Sequence, residues 1–87
     1  MNFIWLKQQI EKAILDGNFL KIDYVSKKME ITNDRIIRPI ELKQDTLYGH
    51  DFAKNGLRQF QFDGIQKLEV VSPEKDYGTT NENKAGA

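Results

Sequence analysis

Cysteine is absent from this 87-residue sequence, and histidine occurs once. The first absence excludes disulfide staples, thiol nucleophiles, thiolate metal sites and redox switching. The second excludes a multi-histidine metal site. A surplus of charge is missing as well: thirteen Lys+Arg stand against thirteen Asp+Glu, for a formal net charge of zero. Coating duplex DNA by charge requires excess Lys and Arg to release counterions, so that function class is set aside, with a local basic patch still open. No apolar run reaches the roughly 18 residues that cross a bilayer as a helix. Residues 1–6 lack the charged start and long apolar stretch of a secretory signal. The expected compartment is the cytoplasm, with no membrane partner. There is no Ser/His/Asp order and no phosphate-cradling glycine loop. Neither an enzyme nor a bound cofactor is expected.

What is present is unevenly placed. Residues 72–87 read SPEKDYGTTNENKAGA, with one aromatic and no aliphatic side chain larger than alanine. Such a stretch buries too little surface to offset its ordering entropy, so it is expected to be a disordered tail behind a folded unit of residues 1–71. Residues 2–16 carry helix signals at both ends, with Asn2 as N-cap and Gly17-Asn18 as a left-handed stop. Phe3, Leu6, Ile10, Ala13 and Ile14 fall within an arc of about 100°, the core-facing stripe. Ile4, Trp5 and Leu15 fall outside it. They are either scattered surface hydrophobes or a partner or self-association surface centred on Trp5.

From Phe19 the pattern changes. Leu20, Ile22 and Tyr24 alternate with Lys21 and Asp23, as in a half-buried strand. Residues 26–30 suit a hairpin turn. Residues 31–42 read as a second strand, interrupted at Asn33-Asp34 and bent at Pro39. Residues 45–52 make a third strand, Lys54-Asn55-Gly56 a tight turn, and residues 57–62 a fourth strand with Phe60 and Phe62 on one face. Asp63-Gly64 turns the chain into a fifth strand over residues 65–71. The expected fold is mainly β with one N-terminal helix, a small five-stranded, closed SH3-like or Sm-like barrel.

Five pieces of the sequence occur in a familiar order: IEKAI (10–14), KIDY (21–24), RIIRP (35–39), LYGHD (47–51) and RQFQFDGI (58–65). In these the chain resembles a WYL domain, the small Sm-like barrel common in bacterial regulators, over roughly residues 8–71. The last piece is the most specific, since the family typically reads Arg-x-Phe-x-Leu-Asp-x-Ile there. Four positions depart from the family pattern. Asp45 and Thr46 stand where the naming Trp and Tyr would be, leaving Leu47 of that trio. His50 takes a place where Tyr is common, and Gly64 replaces a frequent Arg. The helix-turn-helix that often precedes the family's barrel is not found, so sequence-specific duplex reading is not expected. What the resemblance implies is a ligand-sensing module whose basic residues hold an anionic effector, a nucleotide or single-stranded nucleic acid.

The residues that could do this are few. Arg58 shares side-chain parity with Phe60 and Phe62, which places it at the rim of an inward-facing row. A guanidinium rooted among aromatics suits bidentate phosphate or carboxylate contacts. Arg35 matches the family's arginine four residues before the proline. Arg38, three residues on, points to the opposite face of a regular strand. Tyr48 and His50 share parity and could stack bases, or simply pack across strands. The competing reading makes Arg35 and Arg58 structural partners of Asp63, Asp51 or Asp34. Two functions stay open: an anion-sensing module using Arg35, Arg58, Arg38, Tyr48 and His50, or a protein-interaction or oligomerisation module using strand edges and the Trp5, Ile4 and Leu15 face.

Overall fold

A computed structural model of the chain describes residues 1–73. The expected tail lies outside the described residues from position 74 onward. Helix α1 spans Phe3–Asp16 and is followed by strands β1 (Phe19–Val25), β2 (Ile31–Lys43), β3 (Thr46–Asp51), β4 (Gly56–Gln61) and β5 (Ile65–Val71). Both helix ends are set by the residues that the sequence offers for them. The Asn2 side chain accepts from the N–H groups of Ile4 and Trp5, and Gly17 takes the left-handed conformation at φ 72°.

The strands form one antiparallel sheet in the order β4-β3-β2-β1-β5. It is barrel-like, but it is not closed: β4 and β5 stand at opposite ends of the order and do not pair. The expected closed barrel is corrected on this point. Residues 61–64 connect β4 and β5 through one 3-10 turn, Phe62–Gly64, rather than a hairpin that would lay them side by side. Two further expectations are refined. β2 is continuous through Asn33-Asp34, because the irregularity is absorbed as a register shift between Ile22 and Tyr24 of β1, with Asp34 at φ 55°. A second register shift falls between Pro39 and Glu41, at the expected bend.

The concave face of the sheet and the inner face of α1 enclose the core. Leu6, Ile10 and Ala13 of the helix meet Leu20, Ile22, Ile37, Leu47, Phe60 and Phe62, with Ile14 and Leu42 packed against them. Phe3 keeps its place only at the margin; it is partly exposed and meets Phe62 edge-on at 5.4 Å. Burying side chains of this size fully contributes about 1.5–3 kcal/mol each. The convex face is left to solvent, as alternation along β3 requires: Leu47, Gly49 and Asp51 are buried, while Thr46, Tyr48 and His50 are half-buried.

Candidate ligand site

Asp51 closes β3 and is the one buried charged residue among the described residues, fully shielded from solvent. One carboxylate oxygen accepts the N–H of Ala53 at 3.0 Å, which shapes the turn into β4. The other accepts from the Arg35 guanidinium. Arg35 reaches it from the concave side of β2, with its side chain 11% exposed. The same guanidinium donates to Thr32 Oγ1 at 3.1 Å and lies 5.0 Å from the centre of the Phe60 ring. Burial pushes the Asp51 carboxyl up. The Arg35 hydrogen bond and charge, with backbone N–H groups of Ala53 and Lys54, outweigh this and hold it below its ordinary value. Arg35 is therefore fixed by a carboxylate, a hydroxyl and an aromatic ring.

Arg58 is placed differently. It pairs with Gly49 in the β3–β4 ladder, on the face that carries Phe60 two residues on. Asp51 pairs with Gly56, so Arg58 is its diagonal neighbour, about 7–8 Å away between backbones. The Arg58 side chain is exposed and has no carboxylate within ion-pair distance among the described residues. An open groove of about 600 Å³ lies beside the Arg35 pair, between residues 32–36 of β2 and residues 52–54 of the turn. Arg35 and Lys54 face it with positive charge, and Asp34 with negative charge.

The other three site residues from the sequence lie on the convex face. Arg38 is exposed, without a carboxylate partner among the described residues, and directly opposite His50 across β2 and β3. His50 meets Phe52 edge-on at 4.8 Å, and Phe52 meets Phe19 at 5.0 Å. Tyr48 lies farther along β3, under the Lys43 ammonium at 5.9 Å. The fold thus brings Arg35 and Arg58 to the concave face, and Arg38, Tyr48 and His50 to the opposite one. Ile4, Trp5 and Leu15 lie on the outward side of α1, exposed to 71%, 40% and 86%. Lys54 and Phe52 were not singled out by sequence reasoning. Their signal was their position in the turn beside Asp51, which becomes meaningful only once β2 is known to run alongside. No cluster of three or more metal-ligating side chains occurs among the described residues.

A single helix packed on a five-stranded, barrel-like antiparallel sheet defines a small, mainly β domain. The WYL domain family matches over residues 6–70, and the chain belongs to that family of regulatory, ligand-sensing modules. The proteasome accessory factor B/C (PafBC) of Arthrobacter aurescens is similar in structure, with a TM-score of 0.69 at 22% sequence identity. That alignment covers 93% of this chain and 14% of the longer one, and at this identity the likeness is one of fold. No curated protein matches the chain in sequence. WYL domains are generally non-enzymatic. No helix among the described residues is long and apolar enough to cross a membrane.

Proposed function

We propose that the chain senses a negatively charged ligand, a nucleotide or a single strand of nucleic acid, at the concave rim beside Phe60. One observation carries the reading: Arg58 is exposed and without a carboxylate partner among the described residues, on the face that also holds the fixed guanidinium of Arg35. The charge of Arg35 is already balanced by Asp51. Its part is to present a preorganised edge of N–H donors, while Arg58 supplies the uncompensated charge. Parallel N–H donors match phosphate oxygens, and Lys54 on the turn adds a point charge to the groove that Arg35 lines.

Titration with mononucleotides and short single-stranded oligonucleotides, at low and high salt, tests this. Salt-dependent binding is expected. Arg58→Ala is expected to weaken it by roughly tenfold, the size of one charged hydrogen bond, and Arg38→Ala to leave it unchanged. The reverse pattern moves the site to the convex His50–Phe52 side. No binding at low salt removes the reading. The second reading, a protein-interaction module, has its own observation in the bare outer face of α1, where Ile4 and Leu15 are among the most exposed apolar residues described.

A further inference from the structure

The outer face of α1 is ordered along its length in a way that scattered hydrophobes are not. At 100° per residue, Ile4, Gln8, Glu11 and Leu15 fall in an arc of about 60°, and all four are exposed. The apolar residues sit at the two ends of this stripe, roughly 16 Å apart along the axis. The polar pair sits at its centre. The stripe is symmetric about the midpoint between Gln9 and Ile10: Ile4 and Leu15 are equidistant from that point, and so are Gln8 and Glu11. Reversed end to end, the face therefore meets its own complement.

We propose that two copies of this chain associate through α1, packed antiparallel about a two-fold axis at that midpoint. Ile4 of each copy then lies against Leu15 of the other, and Gln8 against Glu11. Charge agrees with this register and not with a parallel one. On one flank of the stripe, Lys7 comes within one residue rise of Glu11 of the second copy, on the same side of the contact. Lys12 is already occupied within its own helix, bound to Asp16 at 2.8 Å, so it brings no unpaired charge to the contact. Antiparallel packing also sets opposite helix dipoles side by side, whereas parallel packing aligns them. Trp5, on the other flank, covers the rim of the contact beside the Lys12 stem of the second copy. A two-fold contact of one patch with itself is the commonest way for a chain to form a closed pair. The proposal is independent of the ligand reading, because α1 packs behind the concave face and shares no residue with the arginine rim.

A chain without cysteine makes the test clean. Ile4→Cys and Leu15→Cys each replace an exposed side chain, so neither disturbs the core. On mild oxidation, an equimolar mixture of the two variants is expected to give a disulfide-linked dimer, with each variant alone staying largely monomeric. Light scattering of the unmodified chain is expected to show a mass rising with concentration toward twice that of the monomer. Ile4→Glu combined with Leu15→Glu is expected to return it to the monomer with an unchanged circular dichroism spectrum. Efficient crosslinking of Ile4→Cys to itself overturns the register. A monomer at every concentration, with no crosslink in the mixture, overturns the proposal and leaves the face to a different protein. A dimer that survives the double glutamate variant also overturns it, in favour of the strand edges.

Discussion

Asp51 does two jobs with one carboxylate. It holds the turn after β3 through Ala53, and it neutralises Arg35 in a place where neither charge is well solvated. Removing it leaves a nearly buried guanidinium beside Phe60 without a counterion. Asp51→Ala is therefore expected to destabilise the fold by about 3–5 kcal/mol, as for one half of a buried ion pair. Replacing both partners with apolar residues of similar volume is expected to cost less than the single change, and urea unfolding of the two variants compares them directly. The same residue sets an acid limb. Its folded pKa lies below the ordinary carboxylate value, so its stabilisation is complete above the unfolded pKa, about 4. It is lost as pH falls from there through the lower folded value. Unfolding midpoints measured across that window are expected to fall more steeply for the native chain than for Asp51→Asn. A parallel decline in both would detach the acid limb from this residue.

Among the elements, two glycines are required by close approach. A Cβ on Gly49 would stand 2.6 Å from Ile37 Cγ2 and 2.8 Å from the Arg38 carbonyl, at the centre of the β2–β3 pairing. One on Gly64 would stand 2.5 Å from the Val25 carbonyl and 2.7 Å from the Tyr24 ring. Gly49→Ala and Gly64→Ala are each expected to cost about 1–3 kcal/mol by overpacking. Gly56→Ala, whose nearest neighbour would be 3.9 Å away, serves as the tolerant control in thermal unfolding. Helix caps and strand alternation were readable because they depend on neighbours in sequence: Asn2, Gly17, and the Leu20-Ile22-Tyr24 row all behave as their local chemistry demands. Gly64 shows the limit. Its departure from the family's arginine was visible, but the reason, a Tyr24 ring resting on it, depends on a β1–β5 register shift that no local pattern encodes. The arginines divide in the same way. Parity assigned Arg58 to the side of Phe60. That Arg35 would choose Asp51 over Asp34 or Asp63 depended on how the sheet curls, a long-range property.

For the whole molecule, the unclosed sheet has a measurable signature. Phe62 N–H donates to the Asp45 carbonyl, on the β3 side, while Gln61 N–H points away and donates to the Tyr24 hydroxyl. Amides two apart on a strand point the same way, so those of Arg58 and Phe60 face β3, and those of Leu57 and Gln59 face outward. Hydrogen exchange is expected to be slow for Arg58 and Phe60 and fast for Leu57 and Gln59. Uniform protection along β4 would show that its outer edge is covered in solution, as it would be by strand-to-strand assembly.

The Tyr24 hydroxyl that meets Gln61 has a consequence of its own. It comes from β1, its ring rests on Phe60 and Gly64, and it grips the last residue of β4 across a gap that no strand pairing spans. A barrel sealed by a ladder must unzip several bonds to open; here a single phenol acts as the hasp. β3 is held by the β2 ladder and by the Arg35–Asp51 pair, whereas β4, with Arg58, pairs with β3 alone, so on its far side this hydroxyl is its tether. Loss of that tether would free the outer edge of β4 and leave the Arg35–Asp51 pair behind it in place.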